Sequence, residues 1–244
     1  MSWLTVFLDV PHRDLGRTVD FWSAVTGYRR SAWREGRFAT FQPPVGTAQL
    51  RVQDVGDDPA RLHLDLHVTD PAALAERAIQ LGATDVSTGP IPILRSPAGL
   101  VFCAVPDLGE ARLPAATAWP AAPGRPAGRS LVDQVCLDIP PSRYRGEVAF
   151  WRELTGWRFS DTDAPEFQRL DGDGTMRMLL QRLDDEPPGG AAEAHLDLSC
   201  DDRWVEAGRH RELGAVHCYD GAGWITLADP TGRRYCITGR PVTH

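Results

Sequence analysis

VDFWSAVTGYR at residues 19–29 returns, little altered, as VAFWRELTGWR at 148–158, and this pair decides how the rest of the chain is read. Three further matches follow in the same order: HLDLHVTD (63–70) with HLDLSCDD (195–202), LGA (81–83) with LGA (213–215), and SPAGLVFC (96–103) with DPTGRRYC (229–236). The offset between partners drifts only from 129 to 133 residues. Self-similarity at a fixed spacing marks a duplicated architecture.

Between the copies lies PDLGEARLPAATAWPAAPGRPAGRS (106–130). Its Pro, Ala and Gly content offers little apolar surface to bury, so it reads as a semi-rigid linker. The expected organisation is a first domain over 1–106, a linker over 107–129 and a second domain over 130–244.

Each half reads as two strand–helix–strands units. Strand Trp3–Val10 precedes a helix from about Asp14 that carries Leu15, Val19, Trp22 and Val25 at helical spacing and stops at Gly27. Strand Leu62–Val68 precedes a helix with Asp70 as N-cap, Pro71 at its first position and Gly82 as its stop. The second half repeats this with strands Val132–Ile139 and Ala194–Cys200, and helices that stop at Gly156 and Gly214. Short strand-like runs follow, such as Thr47–Val55 and Trp224–Ala228. The fold class expected is α+β, four βαβββ units in two tandem domains.

Four such units with phrases of the type VP…FW…LTG, HLDL and DPxGxxxC resemble the vicinal-oxygen-chelate superfamily of glyoxalases, bleomycin-resistance proteins and extradiol dioxygenases. The resemblance covers nearly the whole chain outside the linker. It implies glyoxalase-like half-barrels whose concave face holds a small molecule or a divalent metal. Metal-binding members draw ligands, usually His, Glu or Gln, from the first and last strands of each contributing unit. Those positions fall here on Thr5 and Gln53, His63 and Cys103, Gln134 and Gln181, and His195 and Cys236. The resemblance leaves open whether units one and two share a cup, or whether unit one pairs with four and two with three.

Strand alternation agrees with a polar inner face. Leu62, Leu64, Leu66 and Val68 point one way and His63, Asp65 and His67 the other. Likewise Leu196 and Leu198 oppose His195, Asp197 and Ser199. An imidazole beside a carboxylate is a serviceable acid–base pair near neutral pH. His195, His63, Asp197 and Asp65 are therefore the candidate catalytic residues. Gln134, Gln181, Gln53, His67, Arg177 and Trp224 are candidate ligand-binding residues.

With no carboxylate at the ligand positions and one His per domain, no metal is favoured. Were one bound, His195, Cys236, Gln134 and Gln181 would hold it. Cys103 and Cys236 read as packed strand residues. The function expected is binding of a small organic molecule, with metal-free lyase, isomerase or cyclase chemistry. Non-catalytic drug binding and a metal-dependent lyase or dioxygenase are the alternatives.

Composition narrows the partners. All 26 basic residues are Arg, scattered along a chain of net charge −7, which speaks against nucleic acid. No signal peptide or membrane-length apolar run is found, so a cytoplasmic bacterial protein is expected. The five Cys form no CxxC pair and read as free thiols. A small-molecule ligand is the expected partner, with no membrane, in a monomer or homodimer.

Overall fold

A computed structural model describes residues 3–107, 109, 111–162 and 164–242. The first half supplies strands β1 (Trp3–Val10), β2 (Arg29–Arg30), β3 (Phe38–Gln42), β4 (Leu50–Asp54), β5 (Arg61–Val68), β6 (Thr84–Asp85), β7 (Ile93–Arg95) and β8 (Val101–Pro106). They join one sheet in the order β2-β3-β4-β1-β5-β8-β7-β6. Helices α1 (Leu15–Thr26) and α2 (Pro71–Gln80) follow β1 and β5 in sequence.

A short strand β9 (Thr117–Trp119) precedes the second half. There β10 (Gly128–Ile139), β11 (Arg158–Asp161), β12 (Phe167–Asp171), β13 (Arg177–Arg182), β14 (Glu193–Cys200), β15 (Val216–Asp220), β16 (Trp224–Ala228) and β17 (Arg234–Thr238) form the second sheet. Its order, β11-β12-β13-β10-β14-β17-β16-β15, matches the first strand for strand. Helices α3 (Tyr144–Thr155) and α4 (Arg203–Glu212) take the places of α1 and α2. The duplication read from four phrases is therefore a duplication of topology, and the chain is α+β.

Local chemistry sets the element ends. Asp70 accepts from the Ala73 N–H at 3.0 Å, with Pro71 opening α2, and Asp202 accepts from Trp204 and Val205 at the start of α4. Gly27 and Gly156 close α1 and α3 in the left-handed region, at φ 70° and 63°, where a side chain would be strained. Part of the Pro-rich stretch is also built into structure. There β9 pairs antiparallel with β10, and the Thr117 hydroxyl donates to the Thr26 carbonyl at 2.6 Å.

Two compact units emerge, and neither is a contiguous half of the sequence. One consists of residues 1–7, 61–112 and 135–194, the other of 8–60, 113–134 and 195–244. Each is built round an aromatic trio. In the first, Phe102 of β8 packs on Phe150 and Trp151 of α3, with ring centroids 5.9 and 5.2 Å away. In the second, Tyr235 of β17 packs on Phe21 and Trp22 of α1 at 5.9 and 5.2 Å. Each core thus joins the helix of one sequence half to the last strand of the other. Among the described residues no helix is long and apolar enough to cross a membrane.

Candidate functional site

The second unit contains the denser cluster. Along β14 the alternation of a strand puts His195, Asp197 and Ser199 on one face and Leu196 and Leu198 on the other. Parallel pairing with β17 sets Asp197 opposite Cys236 and Ser199 opposite Thr238. Antiparallel pairing with β16 then sets Cys236 opposite Thr226 and Thr238 opposite Trp224. Directly opposed residues point to the same face, so these seven share one polar surface.

His195 has a carboxylate and a thiol as neighbours on that surface. His195 Nε2 lies 3.3 Å from Asp197 Oδ1 and 3.6 Å from Cys236 Sγ. The amide of Gln134 donates to the other oxygen of Asp197, and the Thr226 hydroxyl lies 3.4 Å from Cys236 Sγ. Asp197 Oδ1 and Ser199 Oγ are both buried and make no hydrogen bond among the described residues. A polar atom in that condition costs about 1–3 kcal/mol unless a partner is supplied.

The first unit holds the counterpart. His63 Nε2 lies 3.6 Å from Asp65 Oδ1, and donor atoms of His63, Asp65 and Cys103 all fall within 4.8 Å of one another. The pairing of β5 with β8 sets Asp65 opposite Cys103, as Asp197 is set opposite Cys236. The surroundings differ. Phe7 stacks on His63 at 4.7 Å, and Trp3 stacks on His67 at 3.6 Å, both with rings 8° from parallel. Thr5 Oγ1 meets His67 Nε2 at 3.2 Å.

The remaining expected residues spread more widely. Gln134 reaches Asp197, whereas the carbonyl of Gln181 accepts from the Cys136 thiol at 3.5 Å. Gln53 sits on β4 opposite Phe38, and Arg177 opens β13. Both are half-buried, on the strand face opposite the buried Leu50, Val52, Met178 and Leu180. Trp224 stands in the row of Ser199 and Thr238. Sequence reasoning missed Trp3 and Phe7 as covers for the imidazoles. It also kept the Asp residues apart from the Cys residues, although strand alternation and the repeat together place them side by side.

Imidazole nitrogen, carboxylate oxygen and thiol sulfur are donor types that a divalent cation takes. With metal–ligand bonds of about 2.0–2.3 Å, tetrahedral zinc separates N and O donors by roughly 3.3 Å and N and S donors by roughly 3.5 Å. The separations of 3.3 and 3.6 Å at His195 match both. The expectation that no metal is favoured rested on the lack of a carboxylate at the first- and last-strand positions. The carboxylate comes from two residues further along the His strand, so that ground falls away.

A family model for the glyoxalase-like domain matches residues 5–105 and again 134–238. The chain belongs to that family. Among solved structures, it is similar to an Mn(II)-bound glyoxalase from Novosphingobium aromaticivorans. There the identity is 16% and the TM-score 0.65, covering 97% of this chain and 80% of that one. It is similar also to a catechol 2,3-dioxygenase at 13% identity and TM-score 0.61, covering 99% and 90%. A third is a xylose isomerase-like TIM barrel/4-hydroxyphenylpyruvate dioxygenase fusion protein, at 12% identity and TM-score 0.59. The match covers 98% of this chain but only 49% of the fusion, about half its length. No curated protein matches the sequence.

Proposed function

We propose that the chain is a metal-dependent enzyme of the lyase or isomerase kind, acting on a small oxygenated organic molecule at the polar face of β14, β16 and β17. The observation that carries this reading is the convergence of Asp197 Oδ1 and Cys236 Sγ on one and the same nitrogen of His195. A neutral imidazole nitrogen either donates or accepts. It cannot give a proton to the carboxylate and take one from the thiol at once. A carboxylate oxygen and a thiol beside one imidazole nitrogen are donor types of a cation site, and His195, Asp197 and Cys236 would hold the ion. A bound cation supplies Lewis-acid withdrawal of charge from a substrate oxygen.

The chain's own groups then have separable duties. Gln134 fixes the Asp197 carboxylate through its second oxygen, so that Oδ1 stays turned toward His195. Ser199 Oγ, buried in the next row, offers a donor and an acceptor to a ligand hydroxyl or carbonyl. Trp224, in that same row, supplies a flat wall. The chemistry of the structural neighbours, a Mn(II)-bound glyoxalase and a catechol dioxygenase, supports metal dependence without choosing the substrate.

Elemental analysis of the full chain purified without chelators tests the proposal. About one equivalent of a divalent first-row metal is expected in the wild type, and well under that in His195→Ala. A wild-type chain that carries none, and takes up none on dialysis against zinc, manganese or iron(II), would return His195 and Asp197 to the metal-free acid–base reading.

A further inference from the structure

Resting on the placement of the substrate at this polar face, we infer that the site extends outward to β15, where Tyr219 and Trp224 take a flat aromatic ring of the substrate between them. A β-bulge brings Tyr219 there. Val216 opposes Ala228 and His217 opposes Leu227; then the register slips at Cys218, so that Tyr219 opposes Thr226 and Asp220 opposes Ile225. Opposed residues share a face, so Tyr219 joins the row of Asp197, Cys236 and Thr226. His217 and Asp220 turn to the other side, with the buried Leu227 and Ile225, and there His217 Nε2 meets Asp220 Oδ1 at 2.8 Å across the bulge. Without the extra residue, Cys218 would oppose Thr226 and the Tyr219 ring would turn away from the site. The first half keeps step: Thr84 opposes Arg95, Asp85 opposes Leu94, and the next residue is Val86, which brings no ring.

Burial falls away along that row. Asp197, Cys236 and Thr226 are buried, whereas Tyr219 is 50% exposed, so the row opens to solvent at the phenol ring. Beside it, the Trp224 indole lies over Gly221, where any Cβ would run into the ring. Gly221 stands two residues beyond Tyr219, about 7 Å along the chain at about 3.3 Å per residue. An aromatic ring needs about 3.5–4.0 Å on each face, so the space between the two side chains is that of one flat ring. From Cys236 to Tyr219 the row crosses two strand spacings, about 10 Å. That is the length of a one-ring molecule with a short oxygenated side chain. Ser199, buried without a hydrogen bond in the row of Trp224, would meet an oxygen on the inner part of such a molecule.

Mandelate and hexahydromandelate carry the same hydroxy acid and differ only in a flat or a puckered ring. Calorimetric titration of the full chain with each, zinc being supplied, tests the inference. Mandelate should bind more tightly by about 5-fold or more, since an aromatic contact is worth roughly 2–10-fold in affinity. Tyr219→Ala should remove most of that preference, and Tyr219→Phe should keep it, because the ring and not the hydroxyl makes the contact. Equal affinities for the two acids overturn the inference. So does a preference unchanged in Tyr219→Ala, or binding of neither acid. Zinc taken up by the same samples leaves the metal-dependent reading standing in each of these cases. A preference for mandelate that depends on Tyr219, in a chain that takes up no metal, keeps the inference and removes the metal-dependent reading. The comparison of the two acids on the wild type needs no variant to fold.

Discussion

Trp22 and Trp151 occupy equivalent places in α1 and α3, yet their indole N–H groups are satisfied by different residues. In the second unit Asp229 alone serves the turn. Its Oδ1 accepts from the N–H groups of Thr231 and Arg233, and its Oδ2 from Trp22 at 3.2 Å. In the first unit Ser96 stands in place of Asp229 and accepts only from Leu100, at 3.0 Å. Glu147 takes the other two donors, Trp151 Nε1 and Ala98 N–H, each at 2.7 Å. The residue aligned with Glu147 is Thr18, whose buried hydroxyl makes no hydrogen bond among the described residues. One carboxylate serves each core, and the two halves place it on different elements.

The double variant Glu147→Thr/Ser96→Asp should therefore rebuild the other unit's arrangement. Glu147→Thr alone strands two donors on residues that are fully buried, Trp151 and Ala98. At about 1–3 kcal/mol each, the loss is about 2–6 kcal/mol. For a chain of this size that lowers Tm by about 4–24 °C, at about 2–4 °C per kcal/mol. Ser96→Asp alone sets a second carboxylate beside Glu147. Burial already pushes the Glu147 carboxyl above its usual range, and hydrogen bonds from Ser96, Ala98 and Trp151 pull only part of that back. This variant should also be destabilised. In the double variant the coupling should recover about 1–3 kcal/mol of the summed losses. Thermal and urea melts of the four proteins decide. Strict additivity would refute the idea that Ser96 and Glu147 divide the work of Asp229.

Three further outcomes are expected. Leu196→Ala should cost about 2–5 kcal/mol, because Leu196 is buried in the core. His195→Ala should melt, metal-free, within about 1 kcal/mol of wild type; equal losses would make the imidazole structural. Burial pushes Glu206 up, but hydrogen bonds from His210 and Arg209 outweigh it, and the carboxyl is held down at about 2 against an ordinary 4.5. Its contribution is complete above 4.5 and is lost as pH falls through about 2, so acid melts should show the gap between wild type and Glu206→Gln closing across that window. A gap independent of pH would deny Glu206 that role. Gly46 has φ +95° and leaves no room for a Cβ, which would lie 2.6 Å from the Pro114 backbone. Gly46→Ala should lower stability by more than about 1 kcal/mol in urea melts, and no change would mean that the Leu113–Pro114 segment yields freely.

The fold was legible because the physics that sets it is local. Helix stops at Gly27 and Gly156 need the left-handed conformation, and caps at Asp70 and Asp202 need a short side-chain acceptor; both leave plain marks in one sequence. Read twice at a fixed offset, those marks become a topology. What the sequence left open was which units pack together. The aromatic phrases FW and FC or YC repeat in both halves, so either pairing buries the same residue types. Only packing chooses, and it puts Phe150 and Trp151 on Phe102, and Phe21 and Trp22 on Tyr235.

The site was half legible for a related reason. Period two placed His195 and Asp197 on one face, and the resemblance placed Cys236 at a strand end, yet the two facts belong to different strands. Joining them requires the register of β14 against β17, in which Asp197 and not His195 faces Cys236. A shift of one residue would turn the Cys236 thiol to the apolar side and dissolve the cluster. Register depends here on long-range packing, with Leu196, Leu198 and Ile237 buried on the opposite face. The apolar face therefore fixes the geometry of the polar one. The placement of His195, Asp197 and Cys236 depends on leucines and an isoleucine on the other face.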